Sequence, residues 1–240
     1  MNRQTIFKSL AQHYDLLYSW KDYRQEVEAI REVIRSHKES PGTDLIEVAC
    51  GTGKHAELLQ DDFSIIATDL NEHMLRIARR RCKHVTFVRA DMVELELGRQ
   101  FDVVLCLFSS IGYVRTRARL KKTLFNFARH LKVGGVAIIE PWWTKANYQT
   151  GAVTMTTVGN DDVKIGRQSV SKVRGNLSIM DMHYLIGERD KAVSHYVDRH
   201  ELGLFERGDM LAFMREAGLR ARFQEQGLMQ GRGLYIAVKG

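Results

Sequence analysis

The chain has 240 residues and carries 36 Lys and Arg against 29 Asp and Glu, a formal net charge of +7. That length holds one domain, or one with an insertion, and 44% apolar with 27% charged residues excludes disorder and fibrous low complexity. The longest apolar run, Val103 to Phe108, is far short of the ~18 residues of a membrane helix, and Met1 to Lys8 lacks the apolar stretch of a secretory leader. Cys50, Cys82 and Cys106 form no CxxC pair, so neither a disulfide nor a zinc framework is expected and the expected compartment is the cytoplasm.

Ile6, Leu10, Tyr14 and Leu17, then Tyr23, Val27, Ile30 and Ile34, recur at spacings of three and four. They predict two helical segments, closed by Pro41 and Gly42. From Asp44 to Glu140 the apolar runs Leu45–Ala49, Phe63–Thr68, Val85–Val88, Phe101–Leu107 and Val136–Ile139 alternate with amphipathic segments, the pattern of βα units around a parallel sheet. Met74, Leu75, Ile77 and Ala78 mark one helix. Leu120, Leu124, Phe127 and Leu131 mark another, which Gly134 and Gly135 are predicted to end.

Beyond Pro141 the pattern changes to β-branched, alternating stretches at Val153–Val158, Val163–Val173 and Leu177–Ile186. Turn signals at Gly159-Asn160, Gly175-Asn176 and Glu188-Arg189-Asp190 separate or end them, which predicts an antiparallel insertion. A helix from Asp209, read as its N-cap, to Ala217 and Gly218 follows, then strands near Leu219–Gln226 and Leu234–Val238. The expected organisation is one α/β domain: an N-terminal helical lid (1–40), a core (41–140), a β insertion (141–206) and the end of the core (207–240).

Gly51 and Gly53 stand where the first strand turns into a helix, so backbone can approach a ligand beside free N–H groups. With Ala56 the spacing is G-x-G-x-x-A, which also fits a dinucleotide fingerprint. Glu47 precedes Gly51 by four positions, Asp69 ends the second strand, and Ala90-Asp91-Met92 ends the third. An acidic residue at the first of these strand ends can accept from both ribose hydroxyls of an adenosine. At the second, an aspartate can accept from the adenine amino group while the next backbone N–H donates to the ring. Open α/β sheets bind ligands at these carboxyl ends. Nothing in a dehydrogenase explains Asp91, whereas helix capping alone would explain both aspartates without a ligand.

Together these residues resemble the Rossmann-like class I S-adenosylmethionine-dependent methyltransferases. Tyr14-Asp-Leu-Leu-Tyr, Lys21-Asp-Tyr23, Val48-Ala-Cys-Gly-Thr-Gly53, Phe108-Ser-Ser-Ile-Gly-Tyr113, Glu140-Pro-Trp-Trp143 and Gly231-Arg-Gly-Leu234 are similar to the nucleotide-sugar N,N-dimethyltransferases that make desosamine and mycaminose. The resemblance implies a seven-stranded, mostly parallel sheet with N-terminal helices and an antiparallel insertion before the last helix. It implies S-adenosyl-L-methionine as cofactor, S-adenosyl-L-homocysteine as product, no metal, and a TDP-linked amino sugar as substrate. No membrane partner is expected, nucleic acid is disfavoured, and a homodimer is compatible with it.

Residue by residue, the resemblance places Tyr14 and the backbone at Ala49 and Leu107 beside the cofactor, with Glu47, Gly51, Gly53, Asp69, Asp91 and Met92. Tyr23, Ser109, Trp142, Trp143 and Arg232 fall on the nucleotide-sugar side, Arg232 as a diphosphate contact. Tyr113 falls near the amine, where other members carry histidine, so no obligatory base is implied. Methyl transfer from a sulfonium is an in-line displacement whose leaving thioether needs no proton. Alignment supplies on the order of 7–11 kcal/mol, and a base at Tyr113 adds about 100-fold at most.

Other readings of the same residues are bland. Adjacent tryptophans often fill a core, Cys50 and Cys106 read as small buried fillers, and His183 sits at an ordinary strand position. Arg76, Arg79, Arg80, Arg81 and Lys83, then Arg115, Arg117, Arg119, Lys121 and Lys122, are the patches an RNA methyltransferase would use for phosphates. Their helical spacing suits a solvated face, and no (D/N)PP(Y/F) string follows the fourth strand. A methyltransferase for another small amine, hydroxyl or carboxylate, and a cofactor-binding module without catalysis, complete the alternatives.

Overall fold

The computed structural model describes residues 11–240; Ile6 and Leu10 of the first predicted helix lie outside them. After a 3-10 turn at Ala11–His13 come α1 (Tyr14–Leu17) and α2 (Tyr23–His37). Asp22 caps α2 by accepting from Gln25 N at 2.9 Å, and Val27, Ile30 and Ile34 form its buried stripe. The α/β succession follows: β1 (Asp44–Val48), α3 (Lys54–Leu59), β2 (Ser64–Asp69), α4 (Glu72–Arg81), β3 (Val85–Arg89), β4 (Phe101–Cys106), a 3-10 turn at Ser110–Val114, α5 (Arg117–Arg129) and β5 (Leu131–Ile139). Four antiparallel strands come next, β6 (Val153–Gly159), β7 (Val163–Arg174), β8 (Leu177–Glu188) and β9 (Ser194–Gly203). Then α6 (Arg207–Glu216), β10 (Leu219–Gln224) and β11 (Leu234–Lys239) complete the first sheet.

That sheet has the order β10-β11-β5-β4-β1-β2-β3, with β11 antiparallel to both its neighbours and the other pairings parallel. Its central strands are buried on both faces, as β4 shows at every position, because helices cover each side. Alternating residues supply two cores: Ile46, Val104 and Ile139 pack with α5 and α6, while Leu45, Val103 and Ile138 pack with α2, α3 and α4. The strand order reverses between β1 and β4, which opens a crevice at their carboxyl ends.

Two sequence expectations are corrected. The helix before β5 does not reach Gly134: α5 ends at Arg129, and Leu131 already pairs with Phe101. Gly134 instead sits in a bulge at φ +75, between the pairings Phe101 to Leu131 and Val103 to Val136. Its carbonyl accepts from Glu39 N and Ser40 N, and a Cβ there would lie 2.8 Å from Ser40 N. Asp209 is not the N-cap of α6, which Glu206 occupies without a side-chain bond; Asp209 lies in the first turn and pairs with Arg117.

The four-stranded sheet turns its inner face to α1 through Leu17, Ile165, Tyr184 and Ile186. Its outer face is open, with Val153 68%, Met155 71% and Leu185 56% exposed. Among the described residues no helix is long and apolar enough to cross a membrane. The arginine-rich helices are ion-paired: Arg79 with Glu72, Arg81 with Asp15, Lys122 with Glu94 and Arg129 with Glu96.

Candidate active site

The loops after β1 and β4 leave their strands through left-handed backbone at residues other than glycine. Ala49 has φ +58, Phe108 +50 and Ser109 +60, conformations that persist only where surrounding bonds over-determine them. Those bonds are present. Cys50 N donates to Thr68 O at 2.9 Å and Phe108 N donates to the buried carboxylate of Glu140 at 2.7 Å. Ser109 Oγ donates to Pro141 O at 2.6 Å and accepts from Arg232 Nη1 at 2.8 Å. Glu140 is fully buried and therefore serves the backbone at Phe108 rather than the open space beyond; burial pushes its carboxyl up against the opposing pull of Arg232 and Lys21.

These loops open into one cavity of about 1180 Å³, floored by the strand ends and roofed by α1 and the inner face of the four-stranded sheet. On the strand-end side it is lined by Tyr14, Ala49, Gly51, Asp69, Asp91 and Met92. Asp69 accepts from Gly51 N at 2.9 Å on one oxygen and from Asn71 N at 2.8 Å on the other. Burial raises its carboxyl despite those bonds. Each oxygen keeps acceptor capacity toward the cavity. Asp91 accepts from Val93 N at 2.9 Å and lies 3.2 Å from Arg119 Nη2. Neither aspartate is a helix cap, since the side chain of Asn71 caps α4 and no helix follows Asp91.

An adenosyl group fits this end. A Cβ built on Gly51 meets nothing within 4 Å, so the glycine loop is an open backbone cradle, and charged acceptors stand at the ends of β2 and just past β3. Among the described residues no group of three His, Cys, Asp or Glu could hold a metal ion.

The opposite wall carries Ser109, Tyr113, Trp142, Trp143 and Arg232. The guanidinium of Arg232 lies 4.8 Å from the Trp142 ring and 5.6 Å from Trp143, and burial lowers its pKa. Trp142 is fixed by Nε1 donating to Ser178 Oγ at 2.8 Å. Tyr14 and Tyr18 meet at 4.7 Å between ring centroids and Tyr18 meets Phe108 edge-on at 5.0 Å, an aromatic frame beside the loop.

Four expected site residues do not line the cavity. Glu47 is 2% exposed and sits 3.5 Å from His55 Nδ1, inside a buried charge cluster. Gly53 begins α3, where a Cβ would lie 3.0 Å from Ala78 Cβ, so its glycine serves helix packing. Leu107 is a core side chain whose carbonyl is taken by Ser110 N at 3.1 Å. Tyr23 packs against the His55 ring at 5.0 Å, with the Lys21 ammonium 4.8 Å from its centroid. Each is behind the wall, holding the parts that face the cavity.

Other lining residues escaped the sequence reading. Arg167 of β7 reaches the Tyr18 hydroxyl at 3.4 Å, and Arg119, expected on a solvated face, borders the cavity at Asp91. His200 of β9 holds the Tyr113 hydroxyl at 2.6 Å. The one local trace of this last pair is Asp198-x-His200, the spacing of two residues on one face of a strand.

A family model described as a methyltransferase domain matches residues 45–135. A dTDP-3-amino-3,4,6-trideoxy-alpha-D-glucopyranose N,N-dimethyltransferase of Streptomyces venezuelae is 37% identical over 228 residues, covering 94% of this chain and 95% of that protein. A dTDP-4-amino-2,3,4,6-tetradeoxy-D-glucose N,N-dimethyltransferase of Saccharopolyspora spinosa is 32% identical, with 94% and 91% covered. The crystal structure of Streptomyces venezuelae DesVI superposes with a TM-score of 0.90 at 36% identity, covering 96% of this chain and 98% of that one.

Proposed function

We propose that this chain, which belongs to the family of S-adenosylmethionine-dependent dTDP-amino-sugar N,N-dimethyltransferases, methylates the amino group of a nucleotide-linked amino deoxysugar. The observation that carries the reading is one continuous cavity. It joins a glycine-loop cradle with acidic acceptors to a wall where one arginine stands beside two tryptophans.

In this reading Asp69 accepts from the ribose hydroxyls, Asp91 and the backbone of Met92 address the adenine, and Tyr14, Ala49 and Gly51 border the remainder. When bound, S-adenosylmethionine supplies a methyl group on a cationic sulfur. Aromatic faces at Tyr14, Tyr113 and Trp142 favour that charge by roughly 0.5–2 kcal/mol each. Arg232 binds the diphosphate, with Trp142 and Trp143 beside it, while Ser109, whose one proton goes to Pro141 O, holds the guanidinium in place. The chain's main contribution is to align the acceptor nitrogen, worth about 7–11 kcal/mol. Glu47, Gly53, Leu107 and Tyr23 support these residues from behind. The cytoplasm is the proposed location, where the buried Cys50, Cys82 and Cys106 stay reduced.

The test is incubation with S-adenosylmethionine and a panel of dTDP-3-amino and dTDP-4-amino sugars, read by mass spectrometry for one or two added methyl groups. Methylation of an unrelated amine, a hydroxyl or RNA, with every amino sugar untouched, rejects the reading. Arg232→Ala is expected to raise KM for the nucleotide sugar about 10- to 100-fold, the loss of one charged hydrogen bond. Its cofactor affinity should match the wild type, and unchanged kinetics remove Arg232 from the site.

A homodimer through the outer face of the four-stranded sheet belongs to the same proposal. Val153, Met155 and Leu185 make an apolar surface there of the kind that marks an interface. Sedimentation equilibrium is expected to give twice the chain mass, and Met155→Glu to return it to one. A wild-type mass of one chain rejects the dimer.

A further inference from the structure

We propose that His200 and Asp198 form a proton relay behind Tyr113, taking the proton that the acceptor ammonium must lose before each methyl transfer. The inference rests on the amine acceptor proposed above.

Asp198 and His200 are two residues apart on β9, opposite Met182 and Met180 of β8, and both side chains are buried, at 0% and 5% exposure. The 3-10 turn at Ser110–Val114 packs on β9 and delivers Tyr113, whose hydroxyl lies 2.6 Å from His200 Nδ1. The other ring nitrogen, Nε2, is 3.1 Å from Asp198 Oδ2. The contact is electrostatic rather than a formed hydrogen bond, and the carboxylate's charge at that distance favours a proton on Nε2 over one on Nδ1, which leaves Nδ1 to accept from Tyr113. Three groups from two distant parts of the chain thus come together: phenol, imidazole, carboxylate.

The order fits one task. Burial holds the Tyr113 phenol well above the ordinary tyrosine range, so it does not work as a phenolate. It can pass a proton on instead. The ammonium N–H bond breaks and its electron pair stays on nitrogen. The proton joins the Tyr113 oxygen while the phenol's own proton moves to His200 Nδ1. The resulting imidazolium is held beside Asp198 and releases its proton to solvent on turnover. The amine nitrogen is then free to take the methyl group, with the C–S electron pair remaining on sulfur. A dimethylation needs this twice.

Among the described residues, the titratable groups near Tyr113 include Tyr18 of α1, Asp69 of β2 and Tyr184 of β8. Beside it Arg115 is paired with Glu201 at 3.2 Å and Arg199 with Asp181 at 2.6 Å. These pairs keep both arginines occupied with their own carboxylates.

His200 acts through Tyr113, so the test reads more than rate. With the dTDP-amino sugar saturating, His200→Gln is expected to lower kcat at neutral pH about 10- to 100-fold, with KM and cofactor affinity near wild type. Its activity should recover as the pH approaches the amine's own pKa, where the proton leaves unaided. A profile of wild-type shape scaled down uniformly, or a loss confined to KM, overturns the relay. A second arm needs no acceptor: 15N spectra of the imidazoles in the S-adenosylhomocysteine complex, with the His200 signal assigned by its loss in His200→Gln. The expected result is an Nε2–H tautomer at neutral pH, a preference lost in Asp198→Asn. An Nδ1–H tautomer overturns the relay even if no amino sugar proves to be a substrate, and that second failure would reject the proposed function alone.

Discussion

Asp69→Ala is expected to weaken S-adenosylmethionine binding by about 100- to 10,000-fold in calorimetry. In the proposed binding mode two ribose hydroxyls lose a charged acceptor at roughly 1.5–3 kcal/mol each. The structure adds a second reason. The same carboxylate fixes Gly51 N at 2.9 Å and Asn71 N at 2.8 Å, so its removal also frees the glycine loop and the start of α4. Asp69→Asn separates the two effects: one amide oxygen can replace only one acceptor, and the amide nitrogen cannot accept from a backbone N–H. An intermediate affinity for Asp69→Asn is the expected result. Wild-type affinity in both variants would remove Asp69 from the cofactor site.

Glu26→Ala is expected to cost about 3–5 kcal/mol of stability, because it strips the partner from a buried cation. Lys21, Glu26, His55 and Glu47 are 6%, 6%, 5% and 2% exposed. Glu26 pairs with Lys21 through one oxygen and holds His55 Nε2 at 2.8 Å through the other. The Lys21 ammonium lies 4.8 Å from the ring of Phe108, a cavity residue, so the cluster braces the active-site loop from beneath. The measurement is the urea midpoint at constant m-value. A loss below about 1 kcal/mol, the worth of a surface pair, would show that the cluster is solvated in solution.

The same cluster sets a pH dependence with opposite signs on its two sides. For Glu26, burial raises the carboxyl, but the bonds to His55 and Lys21 outweigh it and the net shift is downward. Its stabilisation is present above the ordinary carboxylate range and disappears as the pH falls through the lowered value. For His55, burial lowers the imidazole, but Glu26 and Glu47 prevail and the net shift is upward from 6.5. Its contribution is complete below 6.5 and disappears as the pH rises through the raised value. Thermal unfolding of the wild type should therefore show a maximum between the two windows, and Glu26→Ala should flatten both flanks.

Much of the proposed cofactor end was legible in the chain. Strands buried on both faces must be apolar runs, helices against them must be amphipathic, and a ligand at the carboxyl ends needs acceptors where the runs stop. Gly51, Asp69 and Asp91 follow from those three facts, and all line the cavity. Glu47 and Gly53 lie in the same motif yet face away. A strand alternates its side chains, and Glu47 belongs to the set turned toward α3, while Gly53 is needed where α3 and α4 touch.

The arginines illustrate the limit from the charge side. A sequence shows Arg79, Arg81, Lys122 and Arg129 as basic helix faces; it does not show Glu72, Asp15, Glu94 and Glu96 arriving beside them. Only folding paired these helix cations with carboxylates and left Arg167 and Arg232 toward the cavity.

By itself the sequence determined the α/β core, three of the insertion's four strands with their turns, and the position of acidic residues at the strand ends, because each is a local consequence of side-chain period and backbone freedom. Tertiary structure alone decided that Gly134 is a bulge, that Glu140 holds Phe108, and that His200 meets Tyr113 across 87 residues. Such contacts depend on register and on how two sheets face each other, and no local pattern in the chain encodes which distant side chain a given face will meet.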